Sequence, residues 1–272
     1  MKKFNLEQIR NKKISLVLSG GAAYGIAHVG IIKYIEEKNI PVSEVLGASM
    51  GAIVASLYAI GKNAKEIEEL TSKVKIKGLY HLKVSLGENR KDYEKVKNFM
   101  QKLFENKKIK DAKIDLKIMA TNVNTGIGRL FTKEDDVYIY EAVMASIAVP
   151  GLFQPKDIGG IYYIDGGVFS NLPVEYAKPR NIKISCNVIN SKKTHEYLKT
   201  RKNFVSLIYG NLKVLRSTIH YLIENQTNSK VHYIKNLILI EPDLSEFSKV
   251  SFQDYELMIN KGYTEIKKYF ED

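Results

Sequence analysis

Two apolar runs near the start of the chain, each followed by a glycine-containing turn and a helical pattern, constrain the fold more than any other feature. The first run is Ile14–Leu18 and the second is Val45–Leu46. Apolar residues then recur at three-residue spacing over 26–35, and a second helical stretch covers 52–60. Such stretches are typical of helices that pack against a core. The order strand, helix, strand, helix predicts a parallel sheet covered by helices.

The remainder of the chain continues this mixture of short strands and helices. Further strands are predicted at 116–123, 129–131, 161–164, 182–189 and 237–240. Helices are predicted at 141–148, 208–222 and 252–270, and within a Lys- and Glu-rich segment at 62–110 that Gly78 and Gly87 interrupt. The 272 residues suffice for one large domain with a buried core, and no internal repeat or linker divides them.

The chain is basic, with 42 Lys and Arg against 30 Asp and Glu, a net charge of +12. Residues 62–117 hold 15 Lys and one Arg against nine acids, which gives this segment a net charge of +7. A basic surface can contact nucleic acid or an anionic membrane, or can simply be solvated. We favour a solvated surface and leave peripheral contact with an anionic membrane open. No nucleic-acid partner is expected, because no recognition motif accompanies the charge.

Cys186 is the one cysteine of the chain, so a disulfide within the chain is excluded. It lies in an apolar stretch, which predicts a buried strand residue and not a catalytic thiol. No apolar run reaches the ~18 residues of a membrane-spanning helix. The segment 5–13 is too polar for the apolar part of a signal peptide. We therefore predict a cytoplasmic protein, with export by a signal-independent route left open.

Ser49 is the candidate nucleophile and lies in the G-x-S-x-G sequence Gly47–Gly51. A predicted strand precedes this sequence and a predicted helix follows it. In that context the pattern places serine on a sharp turn with its hydroxyl exposed. The positive end of the following helix favours a developing anion. A purely structural turn is the alternative, because a serine hydroxyl stays a poor nucleophile until a base removes its proton.

Asp165 is the candidate base. It ends the predicted strand 161–164 and precedes Gly166 and Gly167, so its carboxylate lies at the carboxyl end of a strand, where the sites of open α/β sheets assemble. A carboxylate with an ordinary pKa near ~3.9 is a weak base for serine. Desolvation, or proton transfer coupled tightly to attack, would therefore be needed. Taken alone, an Asp-Gly turn would be the simpler interpretation.

The glycine-rich loop at residues 19–25 is the candidate oxyanion hole. Gly20, Gly21 and Ala22 have little or no side chain, so their backbone N–H groups can converge on a substrate oxygen. The helix that begins near Gly25 points its positive end at the same place. A phosphate-binding turn of a dinucleotide fold is disfavoured, because G-G-A-A-Y-G does not match G-x-G-x-x-G.

No histidine is placed by a comparable motif, which favours a Ser-Asp dyad over a Ser-His-Asp triad. His28 lies in the first helix, where a packing or surface role is expected, and His81 lies in the Lys-rich segment. The other three histidines follow Asp165, as the chain order of a triad requires, but none has a supporting motif: His195, His220 and His232.

Several separated segments, in this order along the chain, resemble the patatin-like phospholipases. The segments are Leu16–Gly30, Gly47–Gly51, Thr121–Asn122 near the Thr125–Gly126 turn, Ala145–Pro155 and Asp165–Gly167. The likeness covers residues 14–190 well and the extension 191–272 more loosely, and we predict a single domain over 1–272. The resemblance implies a three-layer α/β/α fold with a mostly parallel central sheet. It also implies hydrolysis of acyl esters in lipids, without a metal or another cofactor.

By this resemblance Ser49 is the nucleophile and Asp165 the base of a catalytic dyad. The resemblance also assigns the oxyanion hole, which comprises Gly20, Gly21 and Ala22. The implied substrate is a phospholipid or a lysophospholipid, cleaved through an acyl-enzyme.

Two residues depart from the family's usual glycine-rich motif. Ala22 stands where a third glycine is usual, which is a small change if its φ is negative. Tyr24 stands where Arg or Lys is usual, and the loss of this cation is the larger change. The second departure keeps an alternative open, namely a catalytically weak or inactive protein of this fold that binds a membrane or a partner.

Overall fold

A computed structural model describes residues 4–77, 90–150, 153–189, 221–248 and 251–271. The strands are β1 (Phe4–Asn5), β2 (Ile14–Leu18), β3 (Val42–Ala48), β4 (Asp115–Asn122), β5 (Gly128–Phe131), β6 (Lys156–Ile158), β7 (Ile161–Asp165), β8 (Ile182–Cys186), β9 (Leu237–Ile240) and β10 (Phe270–Glu271). The α-helices are α1 (Leu6–Arg10), α2 (Ala27–Glu37), α3 (Met50–Ala59), α4 (Ala64–Lys77), α5 (Arg90–Leu103), α6 (Ile139–Ser146), α7 (Gly167–Ser170), α8 (residues 221–231) and α9 (Tyr255–Lys267). Short 3₁₀ helices cover Ala22–Ile26, Ile109–Asp111 and Val174–Tyr176.

The central sheet is parallel through β4-β3-β2-β8-β9. Antiparallel pairing begins only at β4, which pairs with β5 and β7, and β7 pairs in turn with β6. β1 and β10 form a separate parallel pair. The predicted α/β fold with a mostly parallel sheet is therefore confirmed.

Apolar side chains are buried on both faces of this sheet. In β2, Leu16 and Leu18 belong to the large core, whereas Val17 between them packs with Leu46 in a smaller core. Successive strand residues point to opposite faces, so two cores mean that helices and loops cover both faces. This explains why the parallel strands appear in the sequence as continuous apolar runs.

The C-terminal helix α9 packs closely against α2. A Cβ on Gly30 would overlap the backbone of Ile259, and a Cβ on Gly262 would overlap the backbone carbonyl of Ala27. The two helices therefore approach each other at glycines, and α9 joins the same large core as the N-terminal half of the chain.

Most predicted elements are present with shifted ends. The helix predicted at 252–270 covers only Tyr255–Lys267, because the chain then turns into β10. Of the helix predicted at 208–222, the part up to residue 220 lies outside the described residues, as do Gly78 and Gly87. None of the helices in the described ranges is long and apolar enough to cross a bilayer.

Candidate active site

Ser49 occupies the turn between β3 and α3. Its backbone has φ 51° and ψ −124°, a positive φ that non-glycine residues rarely adopt. Its N–H donates to Ser146 Oγ at 2.8 Å, and its carbonyl accepts the N–H groups of Ala52 and Ile53 in the first turn of α3. Such a strained strand-to-helix turn exposes a side chain at the carboxyl edge of the sheet, and Ser49 is only half-buried.

The pairing of β4 places Asp165 directly beyond the end of β3. Met119 pairs with Ala48 of β3 and with β5, and the next residue, Ala120, pairs with Asp165 of β7 and again with β5. A strand has two edges, and β5 occupies one of them at both positions. Ala48 and Asp165 therefore share the other edge at adjacent positions, so Asp165 lies beside Ser49.

Asp165 is buried, with 6% of its surface exposed. Its Oδ1 accepts the Gly167 N–H at 2.7 Å, and its Oδ2 has no partner of hydrogen-bond geometry among the described residues. Burial raises the pKa of Asp165 to about 6, against the smaller lowering effects of the nearby Ser49 side chain and of the Gly167 N–H. The ionised carboxylate is thus more basic than an ordinary aspartate and has one oxygen free to accept a proton.

The glycine-rich loop lies against the same turn. A Cβ on Gly20 would lie 3.0 Å from Ser49 Cβ and 2.5 Å from Asn171 Oδ1. Of the three predicted donors, Gly20 gives its N–H to the Asn171 carbonyl at 3.1 Å. Within the described residues the N–H groups of Gly21 and Ala22 have no hydrogen-bond acceptor. These two groups are free to bind a substrate oxygen.

Ala22 has φ 49°, so the condition under which alanine would be a small change is not met. The left-handed conformation brings the Cβ of a non-glycine residue close to its own backbone and costs about 1–2 kcal/mol. The position therefore favours the glycine that the family usually carries there. Ala22 is itself exposed, so its methyl group meets solvent.

Buried polar groups hold the start of this loop. The Ser19 N–H donates to the Cys186 carbonyl at 3.1 Å, and Ser19 Oγ accepts the Val188 N–H at 3.0 Å. His28 Nε2 lies 2.8 Å from the Ser19 carbonyl oxygen. In the tautomer that carries the ring proton on Nε2, this nitrogen donates a hydrogen bond to that oxygen. Burial lowers the pKa of His28 to about 4, so the ring is neutral at physiological pH. Of the two roles predicted for His28, packing or surface, the structure shows the buried one, and its bond to the Ser19 carbonyl was not predicted.

Asn171 is a further residue that sequence reasoning missed. Its side chain lies between the glycine-rich loop and the base, since Oδ1 would be 2.5 Å from a Cβ on Gly20 and 2.9 Å from one on Gly167. Its Nδ2 donates weakly to the Gly20 carbonyl at 3.4 Å. A lone asparagine six residues after Asp165 carries no chemical pattern, so only the folded chain reveals this bridge.

Helix α8 supports the short helix α7 that follows Asp165. Lys230 Nζ donates to Ser170 Oγ at 2.6 Å and to Glu175 Oε1 at 2.8 Å. Gln226 Nε2 donates to the Phe169 carbonyl. Chain beyond residue 220 thus fixes the orientation of the base-bearing turn.

The remaining histidines give no triad partner within the described ranges. His232 is exposed in the turn after α8, whereas His81, His195 and His220 lie outside the described residues. No group of three or more His, Cys, Asp and Glu side chains in the described part of the chain could hold a metal ion.

Comparison with known proteins finds similarity to fungal proteins named lysophospholipase. The chain is 23% identical to Lysophospholipase NTE1 of Saccharomyces cerevisiae over 93% of its own length and 16% of that protein. It is 30% identical to Lysophospholipase NTE1 of Pyricularia oryzae over 93% of its own length and 18% of that protein. The chain therefore spans less than a fifth of the length of these curated relatives.

Among solved structures, VipD from Legionella pneumophila is similar in fold. The TM-score is 0.56 at 17% sequence identity, and the match covers 96% of this chain and 66% of VipD. The model of the family described as "Patatin-like phospholipase" matches residues 16–178, which include the glycine-rich loop, Ser49 and Asp165. The chain belongs to the patatin-like phospholipase family.

Proposed function

We propose that the chain is a lipid acyl hydrolase in which Ser49 and Asp165 form a catalytic dyad. The observation that carries the proposal is the register on β4, which sets Asp165 and the end of β3 side by side on one strand edge. A buried carboxylate next to a half-buried serine hydroxyl in a strained turn is the arrangement that nucleophilic catalysis requires.

In the first step Asp165 Oδ2 takes the proton of Ser49 Oγ while Oγ attacks the acyl carbonyl carbon. The raised pKa of Asp165 supports this role, because a base works best when its pKa lies near the working pH. The bond from carbon to the ester oxygen then breaks. The leaving alcohol recovers the proton from Asp165, and the acyl group stays on Ser49.

In the second step a water molecule gives a proton to Asp165 and attacks the acyl carbon. The carbon–Oγ bond breaks, Ser49 Oγ recovers the proton, and the fatty acid leaves. In both steps the carbonyl oxygen becomes negative, and we assign its stabilisation to the N–H groups of Gly21 and Ala22. Gly20 contributes by its lack of a side chain, because its own N–H is bonded to Asn171. Loss of one such donor typically costs about 10²–10³ in turnover.

The proposed substrates are phospholipids or lysophospholipids. The support is the family itself and the name lysophospholipase that the fungal relatives carry. No step of the proposed reaction requires a metal ion, since Asp165 supplies the base and backbone N–H groups the electrophilic assistance.

The test is release of p-nitrophenol from a medium-chain p-nitrophenyl ester and of fatty acid from lysophospholipid. We expect Ser49→Ala and Asp165→Asn to lose at least about 10³-fold in kcat while remaining folded by circular dichroism. Ser229→Ala and Asp254→Asn, which change exposed residues, are the matched controls and should retain wild-type turnover. Wild type that is as inert as both variants, with lipid vesicles present, would refute the hydrolase and favour the binding-protein alternative.

A further inference from the structure

Tyr24 reaches from the glycine-rich loop to a distant part of the chain. Its hydroxyl donates to the backbone carbonyl of Phe247 at 2.7 Å, and only 6% of its surface is exposed. Phe247 belongs to the segment 241–248, which follows β9 and lies beyond the residues that the family model matches. The contact therefore joins the candidate oxyanion hole to a segment outside the part of the chain that the family model matches.

The contact lies close to the two residues of the glycine-rich loop whose N–H groups are free. Tyr24 is the third residue of the 3₁₀ helix Ala22–Ile26, and its N–H donates to the Gly21 carbonyl at 3.1 Å. Gly21 and Ala22, which carry the free N–H groups, immediately precede it. Ala22 is in the left-handed region, which an alanine holds only when neighbouring contacts enforce it. A buried hydrogen bond two residues further on is such a contact.

The surroundings of the Tyr24 hydroxyl would also suit a cation. Burial raises the pKa of the Tyr24 hydroxyl, and the negative charge of Asp243 raises it further, so the field of this carboxylate reaches the hydroxyl. A guanidinium at this position would find the Phe247 carbonyl as an acceptor and Asp243 as a counter-charge. The family's usual Arg or Lys and the tyrosine of this chain can therefore serve the same purpose.

We propose that Tyr24 is a positioning residue that anchors the oxyanion-hole loop to the segment 241–248 through the Phe247 carbonyl. The kinetic part of this proposal rests on the proposed function, whereas the anchoring itself does not. The anchor explains how the loop can keep its conformation without the cation, and it removes the one sequence argument for an inactive protein.

The test compares Tyr24→Phe, Tyr24→Arg and Tyr263→Phe. Tyr24→Phe keeps the ring and loses the hydrogen bond to Phe247, whereas Tyr24→Arg can restore a donor. Tyr263→Phe is the matched control, because its hydroxyl donates to Glu37 at 2.6 Å between α9 and α2, away from the loop. The readouts are kcat and KM on the ester substrate and hydrogen exchange of the backbone amides in peptides that span residues 19–26.

In Tyr24→Phe we expect exchange of the Gly20 and Tyr24 amides, which are hydrogen-bonded to the Asn171 and Gly21 carbonyls, to become about tenfold faster. We also expect kcat to fall about tenfold, with KM changed less than about twofold. Tyr24→Arg should reverse at least half of the rise in exchange rate and half of the fall in kcat. Tyr263→Phe should change neither the exchange rate nor kcat. Exchange or kcat that stays within twofold of wild type in Tyr24→Phe would overturn the proposal. If wild type hydrolyses no ester, the proposed function fails, and the exchange rates alone decide the anchoring.

Discussion

The side-chain hydroxyl of Ser146 accepts a hydrogen bond from the backbone N–H of Ser49 at 2.8 Å. The backbone carbonyl of Ser146 accepts a hydrogen bond from the Gly166 N–H at 3.2 Å, and the Ala148 carbonyl accepts one from the Asp165 N–H at 3.0 Å. The end of α6 therefore holds the turn of the candidate nucleophile and the turn of the candidate base together. Both turns are fixed through their backbones, which leaves Ser49 Oγ and Asp165 Oδ2 available for chemistry.

Replacement of Ser146 by alanine should damage this arrangement. The Ser49 N–H would lose its acceptor in a turn that already has a positive φ, and an unsatisfied buried donor costs about 1–3 kcal/mol. We expect the free energy of unfolding to fall by about 1–3 kcal/mol. We also expect kcat to be at least about tenfold lower. Ser56→Ala is the control, because Ser56 Oγ is buried without a partner among the described residues, and its removal should be neutral. Urea unfolding and ester turnover measure both effects, and equal behaviour of the two variants would contradict the expectation.

The activity should depend on pH through Asp165. Only the ionised carboxylate can accept the Ser49 proton, and burial raises its pKa to about 6. We therefore expect kcat/KM to be low in acid, to reach half its maximum near pH ~6 and to level off above it, because this parameter reports the pKa values of the free enzyme. The measurement is ester hydrolysis between about pH 4.5 and about pH 8. A half-maximum near the ordinary aspartate value would show that Asp165 is not the titrating base.

The same pKa predicts that Asp165 destabilises the fold at neutral pH. The folded protein binds the proton of Asp165 more tightly than the unfolded chain does. The destabilisation of the fold by the ionised carboxylate is therefore complete above about pH 6 and disappears below the ordinary aspartate pKa of 3.8. Asp165→Asn should raise the free energy of unfolding by up to about 3 kcal/mol at neutral pH, at about 1.36 kcal/mol for each pH unit between the two values. The gain should shrink as the pH falls toward 4. Urea unfolding of both proteins at neutral and acidic pH measures it, and a variant less stable than wild type at neutral pH would refute the burial penalty.

Replacement of Ala22 by glycine should relieve the backbone at φ 49°. Removal of the Cβ recovers about 1–2 kcal/mol of conformational strain, of which about 0.4–1 kcal/mol is returned as chain entropy in the unfolded state. We expect a gain of up to about 1.6 kcal/mol in stability with turnover at least equal to wild type. Ala23→Gly, next to it in the same 3₁₀ helix but without a positive φ, is the control and should lose stability. A loss of stability in both variants would contradict the strain.

Local chemistry allowed the sequence to predict much of the fold. The apolar runs that became β2 and β8 are buried on both faces, and this burial is what leaves a continuous run in the sequence. The sharp turn at Ser49 was predicted because the glycines of Gly47–Gly51 and the flanking elements are neighbours in the chain. The predicted ends of α9 were wrong by about three residues at each end. At the C-terminal end the reason is the switch to β10, which depends on pairing with β1 at the other end of the chain.

The sequence alone thus determined the element types, the strained turn at Ser49 and the candidate pairing of that serine with Asp165. Only the tertiary structure decided that β7 follows β3 along the same edge of β4, which sets the two residues side by side. It also decided the burial that raises the pKa of Asp165, the bond that occupies the Gly20 N–H and the contact of Tyr24 with Phe247. Each of these depends on groups far apart in the chain, and no local propensity or motif encodes the distance between them.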